Sequence, residues 1–262
     1  MSRTPLALIA LILLATRTPA AEVPFALEHG LITIDVELGE DTLPLMLDLG
    51  DFRAISLSSD VLDSVDVEFT GEVDQFVNFA GDPFEARRFV VPRVALGPVV
   101  HVGLEGSEDV FDPSNPSPNP FGAIGRAFFD GHALTIDYSD WTLSLDAPTK
   151  SGCLPLDTTS GMLRVSATID GAEHVFLVDT GAQVSVIDPS VFDETTTLYG
   201  GHSAYEASSI RIDDLDLGGA GLLRMELGAG GFDGVLGQDV LSRFRVTIDM
   251  VEGCLRLDPV ER

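Results

Sequence analysis

One stretch of this chain occurs twice at a constant offset, and that repeat limits what the chain can fold into. Gly30 opens Leu31-Ile32-Thr33-Ile34-Asp35-Val36-Glu37-Leu38, and Gly161 opens Met162-Leu163-Arg164-Val165-Ser166-Ala167-Thr168-Ile169. In each, apolar residues alternate with polar ones, the period of a half-buried strand. Each Gly lies 18 residues before an Asp, Asp48 in Asp48-Leu49-Gly50 and Asp179 in Asp179-Thr180-Gly181, so an offset of 131 superposes the two without a gap. The distal parts repeat at an offset of 112. Gly122-Ala123-Ile124-Gly125 matches Gly234-Val235-Leu236-Gly237, and Thr135-Ile136-Asp137 matches Thr247-Ile248-Asp249. Two copies of roughly 115 residues predict two equivalent lobes, not a many-unit solenoid.

Short apolar runs bounded by Gly or Asp fill the rest: Phe89 to Leu96, Val99 to Leu104, Ile210 to Leu217 and Leu222 to Leu227. Only Arg126 to Phe129 and Gln238 to Phe244 read as short helices. The fold class expected is all-β. The organisation predicted is a signal segment at 1–21, an N-terminal lobe at 22–149 and a C-terminal lobe at 150–262, joined near Lys150-Ser151-Gly152.

The signal reading rests on Arg3, an apolar run from Pro5 to Ala15, and small residues in Thr18-Pro19-Ala20-Ala21. It predicts export, to the periplasm or the exterior. That run is too short for a membrane span, and no later segment is longer. Two cysteines in an exported chain invite a Cys153–Cys254 disulfide; two unpaired buried thiols are the alternative.

Charge narrows the function classes. The 27 Asp and 15 Glu face 14 Arg and a single Lys, for a formal net charge of −27. Such a surface argues against nucleic acid, which needs clustered Lys and Arg. The five histidines are scattered without a His-Glu-x-x-His pattern, so no metal and no cofactor are expected. No nucleophile elbow, P-loop or dinucleotide fingerprint occurs. Asp137 and Asp249 recur at strand ends and read as turn formers.

In Val178-Asp179-Thr180-Gly181-Ala182 an apolar strand delivers an Asp into a tight turn, and Val235-Leu236-Gly237 follows within the same copy. With both halves repeated, the chain resembles the pepsin-like and retropepsin-like aspartic peptidases over residues 24–258. It is closest to the small bacterial retropepsin-like type. The resemblance implies a bilobal double-psi-type β-barrel fold with Asp48 and Asp179 as the catalytic pair. It also implies a peptide or protein substrate in extended conformation, and a monomer, because one chain carries both acids. Thr180, Gly181 and Ala182 would form one bracing turn; Leu49, Gly50 and Asp51 the other.

The first copy departs from the family pattern. Leu49 cannot supply the hydroxyl cross-link expected of a Thr, and the Asp51 carboxylate would raise the pKa of Asp48. A catalytically impaired protein that binds peptides at the cell envelope is therefore the alternative. Candidate flaps are Phe69 to Phe84, with Phe79 and Gly81 near its tip, and Tyr199-Gly200-Gly201-His202.

Overall fold

The computed structural model describes residues 21–77, 83–110, 119–146, 152–192, 197–199, 202–228 and 230–260. The first copy forms β1 (Glu22–Glu28), β2 (Leu31–Leu38), β3 (Asp41–Asp48), β4 (Ile55–Ser58), α1 (Ser59–Leu62), β5 (Glu68–Val77), β6 (Pro83–Leu96), β7 (Val99–Asp109), β8 (Gly122–Gly125), a 3-10 turn at Arg126–Phe129, β9 (Ala133–Asp137) and β10 (Thr142–Leu145). The second forms β11 (Leu154–Pro155), β12 (Arg164–Ile169), β13 (Ala172–Val178), β14 (Val186–Ile187), β15 (Thr197–Tyr199), β16 (His202–Ile212), β17 (Leu215–Arg224), β18 (Gly234–Leu236), α2 (Gln238–Leu241), β19 (Phe244–Asp249) and β20 (Cys254–Pro259).

The alternation is realised as burial. Ile32, Ile34, Val36 and Leu38 face the core of the first lobe, and Val165, Ala167 and Ile169 that of the second. Gly30 and Gly161, equivalent at the 131 offset, have φ of 79° and 78°, left-handed backbone that a side chain would strain.

In the first lobe β2-β3-β8-β4-β7-β6 are successive neighbours, and pairing of β2 with β6 closes the ring. In the second, β12-β13-β18-β14-β17-β16 do the same, closed by β12 with β16. Each ring contains two parallel pairs, β3 with β8 and β4 with β7 in the first, β13 with β18 and β14 with β17 in the second. In each ring the first of these pairs leads to the aspartate. The next strand inserts antiparallel on its far side, β4 on β8 and β14 on β18. The loop between the two must cross closely over the parallel pair. At Gly125 and Gly237 it does so, and an added Cβ would lie 2.8 Å from the carbonyl oxygens of Asp51 and Ala182 respectively.

A shared sheet joins the lobes in the order β11-β20-β19-β9-β10-β1. At its centre β9 pairs antiparallel with β19, Thr135 opposite Thr247, and the two hydroxyls hydrogen-bond at 3.0 Å. These residues are equivalent at the 112 offset, so the pseudo-twofold axis of the duplication passes between them. Cys153 is bonded to Cys254 with Cα atoms 5.3 Å apart, which pins the start of the second lobe onto β20.

Three local expectations are corrected. A third short helix, α1, starts at Ser59; Ser58-Ser59-Asp60 was its signal, but one helical turn carries too little periodicity to recognise. The helix expected over Gln238–Phe244 ends at Leu241, since Phe244 already pairs with Pro259 in β19. The run Ile210–Leu217 is not one strand: it turns at Asp213-Asp214, with Asp213 at φ 49°. The Asp137 and Asp249 side chains accept backbone N–H bonds two and three residues on, at 2.9–3.2 Å. Among the described residues no helix is long and apolar enough to cross a membrane. The proposed signal segment lies almost wholly outside the described residues, as does most of the expected inter-lobe connector.

Candidate active site

The parallel pairs β3–β8 and β13–β18 deliver the two aspartates to one place. β3 ends on Asp48, opposite Gly125 in register; β13 ends on Val178, opposite Leu236, and the Asp179 N–H then donates to the Leu236 carbonyl at 3.1 Å. Both aspartates thus leave their strands at the same point and meet between the lobes. The approach is reciprocal. A Cβ on Gly50 would lie 2.5–2.6 Å from the Asp179 carboxylate oxygens, and one on Gly181 equally close to those of Asp48. Only glycine fits at either position.

Backbone donors fix the carboxylates. Gly50 and Asp51 N–H groups both donate to Asp48 Oδ1 at 3.0 Å, and Gly181 N–H donates to Asp179 Oδ1 at 2.7 Å. The two environments are unequal. Burial, then the Asp179 charge, then the Asp51 charge hold the Asp48 carboxyl well above the usual carboxylate range. Burial also raises Asp179, but N–H groups of Gly181, Gly50 and Ala182 favour its charged form. Both carboxyls are thus held above the usual range, so the pair keeps and shares one proton as a unit.

Behind the dyad the bracing is one-sided. The Thr180 hydroxyl, fully buried, donates to the Leu47 carbonyl at 2.7 Å and accepts the Leu49 N–H at 3.0 Å. Leu49, equivalent to Thr180 and 1% exposed, packs into the core and returns no hydroxyl. The second turn has further support absent from the first. Ser185 Oγ accepts the Gly237 N–H at 3.0 Å and donates to Asp239 Oδ1 at 2.7 Å. At the two offsets their first-lobe equivalents are Ala54 and Ala127. Gln238 Nε2 donates to the Thr180 carbonyl at 2.8 Å, and its Oε1 accepts the Tyr138 hydroxyl at 2.7 Å. A residue at the end of the shared sheet thereby buttresses the dyad from the other lobe.

The carboxylates open into a cavity of about 450 Å³. Its second-lobe wall is apolar, with Met162, Leu177, Leu227 and Phe232, whereas the first lobe contributes Asp51 and Arg53. Asp51 does not stand free: Arg53 Nε donates to both its oxygens at 2.9 Å, and Arg53 Nη2 lies 2.8 Å from Oδ2.

The β5–β6 hairpin reaches this loop. The Phe76 ring centroid is 6.1 Å from that of Phe52, 5.4 Å from that of Phe84 and 5.3 Å from Arg53 Cζ. Phe79 and Gly81, expected at its tip, lie outside the described residues. In the second lobe Tyr199 ends β15 opposite His202, and Gly200 lies outside the described residues.

The structure brings the sequence-named Asp48, Gly50, Asp51, Asp179, Gly181 and Ala182 together around one cavity. Arg53 in its wall, and Tyr138, Ser185, Gln238 and Asp239 behind it, were not named as site residues from the sequence. Comparing the copies position by position would have flagged Ser185 with Asp239, since both become Ala together.

No family model and no curated protein matches this chain. Among solved structures it is similar to the crystal structure of aspartic proteinase from Irpex lacteus, with a TM-score of 0.63 and 15% sequence identity, over 92% of this chain and 98% of that one. At that identity the likeness speaks for architecture: the chain has the two-lobed, nearly all-β fold of a pepsin-like aspartic proteinase.

Proposed function

We propose that this chain is an exported aspartic endopeptidase that hydrolyses peptide bonds with a water activated between Asp48 and Asp179. The reading is carried by one observation: two aspartates from equivalent turns, each seated against the other turn's glycine, line a single cavity. Two such groups cannot both ionise cheaply, so they share a proton. The ionised member of the pair takes a proton from the water as the water oxygen bonds to the scissile carbonyl carbon. The protonated member gives its proton to the carbonyl oxygen. Collapse of the tetrahedral species breaks the C–N bond. The carboxyl that took the water proton passes it to the departing amine. The other carboxylate retakes the hydroxyl proton as the carbonyl re-forms, which restores the singly protonated pair. The sequence requires neither a covalent enzyme intermediate nor a metal.

The apolar second-lobe wall suits a hydrophobic substrate side chain, and the space between the lobes suits an extended peptide. Asp179-Thr180-Gly181-Ala182 favours the retropepsin-like type, while two copies in one chain favour action as a monomer. Export is supported by the N-terminal apolar run and by the Cys153–Cys254 bond, which suits an oxidising compartment. The facing carboxylates favour hydrolysis over mere peptide binding.

The test is cleavage of a diverse peptide pool between pH 3 and 8 by the purified protein and its Asp48→Asn and Asp179→Asn variants. Each variant should lose at least about a thousandfold in kcat/KM, the scale of losing an acid–base group. Equal cleavage by all three, or none by any, would overturn the reading.

A further inference from the structure

We propose that Arg53 is a positioning residue for the dyad, its guanidinium fork closing the Asp51 carboxylate into an ion pair beside Asp48 in the turn that carries Leu49 where the other copy has Thr180; this role rests on the hydrolytic reading above. Asp51 is covalently three residues from Asp48, and its N–H donates to Asp48 Oδ1 at 3.0 Å. Its carboxylate side chain is only 10% exposed. A lone charge there would repel ionisation of the dyad and would itself be costly to bury. Arg53 answers both problems. Its N–H and its Nε bond Asp51 Oδ1 at 2.9 Å, so backbone and side chain grip one carboxylate.

The grip is held from three further directions. Arg53 Nη1 reaches the Glu108 carbonyl at 3.5 Å, Nη2 lies 4.0 Å from Asp109 at the end of β7, and the Phe76 ring lies against the guanidinium. The loop main chain is anchored as well. Arg126 N–H donates to the Asp51 carbonyl at 2.8 Å, and Ala127 N–H to the Arg53 carbonyl at 3.2 Å. The fork is thus fixed against the loop that presents Asp48, and a planar bidentate donor does this where a lysine could not.

The two charges form one device. At the 131 offset Asp51 and Arg53 correspond to Ala182 and Val184, both uncharged. The pair is present only in the copy that carries Leu49; the second copy has no such pair, and its own turn is held by Ser185, Asp239 and Gln238. The charged groups around Asp48 are Asp179 from the second lobe, Asp51 and Arg53 from its own loop, and Asp109 from β7. The Arg126 guanidinium turns away to Asp130 at 3.1 Å.

The experiment follows the carboxyl carbons of Asp48 and Asp179 by NMR titration, which needs no turnover. Arg53→Gln should move the apparent dyad titration up by about one pH unit, because a compensating cation is lost. Asp51→Ser should move it down. The double variant should return close to wild type, and Arg53→Lys should keep the wild-type titration while lowering kcat at unchanged KM. Shifts in the same direction for both single variants, or no movement in either, would overturn the proposal. If Arg53→Gln fails to fold, Asp51→Ser and the double variant still decide it, since a double variant that titrates like Asp51→Ser alone refutes a role for Arg53. Peptide cleavage is read separately. Loss of cleavage in Asp179→Asn with an unmoved titration sinks the Arg53 role alone; opposed shifts without any cleavage sink the hydrolytic reading alone.

Discussion

The Thr180 hydroxyl crosses between the lobes to accept the Leu49 N–H at 3.0 Å, and it hydrogen-bonds the chain on both sides of Asp48 by also donating to Leu47. No hydroxyl comes back from Leu49. Thr180→Val should leave a buried N–H and a buried carbonyl without their partner and cost about 2–3 kcal/mol, read by urea unfolding. The same variant should lose at least tenfold in kcat/KM. Leu49→Thr offers a second hydroxyl to the Thr180 turn and should raise kcat/KM severalfold; an unchanged rate would show that one cross-link suffices.

Asp48 makes stability depend on pH in a definite direction. Its folded-state pKa is raised, by burial first. Its contribution is therefore fully present below the ordinary carboxylate pKa and is lost as pH rises through the elevated one. Thermal melting should fall from pH 4 toward neutrality. Asp48→Asn should flatten that slope and leave the variant more stable than wild type at pH 7 by at least about 1 kcal/mol. In the active protein the same proton should place the alkaline limb of kcat/KM above the range of an ordinary aspartate.

Glu108 should act in the opposite sense. The Arg87 fork at 2.8 Å, followed by the Ser59 hydroxyl at 2.6 Å, lowers its carboxyl to about 2 despite burial. That stabilisation is present above the ordinary glutamate pKa and is lost as pH falls toward 2. Arg87 is half exposed, so solvent screens the pair. Arg87→Met should lower Tm at pH 5 by roughly 2–4 °C, equivalent to about 1 kcal/mol in a chain of this size. The gap between variant and wild type should close as the solution is acidified.

The bond between Cys153 and Cys254 closes a loop across 101 residues. Chain entropy gives it about 4–5 kcal/mol as an upper figure. Cys153→Ser with Cys254→Ser should lower the urea midpoint substantially while keeping the unfolding cooperative. Reductant should shift wild type toward the variant and leave the variant unmoved.

At the pseudo-twofold axis Thr135 and Thr247 satisfy each other's buried hydroxyls. Thr135→Val or Thr247→Val alone strands the partner and should cost about 1–2 kcal/mol; the double variant should cost less than the two singles together. Additive losses would show that the hydroxyls act independently.

How much of this was legible depended on where the information sits. Asp48, Asp179 and the glycines beside them were readable because a fixed offset repeats them, and because crossing loops tolerate only glycine there. The ring closures follow from the same repeat. Arg53 was not readable as a partner of Asp51: their pairing depends on how the loop folds back, and the contact with Phe76 spans 23 positions. Tyr138 and Gln238 lie 100 residues apart, with no pattern linking them. The turn at Asp213-Asp214 was hidden because a hairpin without Gly or Pro interrupts hydrophobic alternation only briefly.

The paired exchange of Ser185 and Asp239 for Ala54 and Ala127 speaks to descent. Removing either member alone would strand a buried hydroxyl or a carboxylate, so the two positions are coupled. Two separate, identical half-chains could not differ in this way, because every change would have been inherited on both sides at once. In a single chain the halves are free to differ: one carries a hydroxyl latch, the other a pair of opposite charges. The two aspartates that began as copies are now chemically distinguishable.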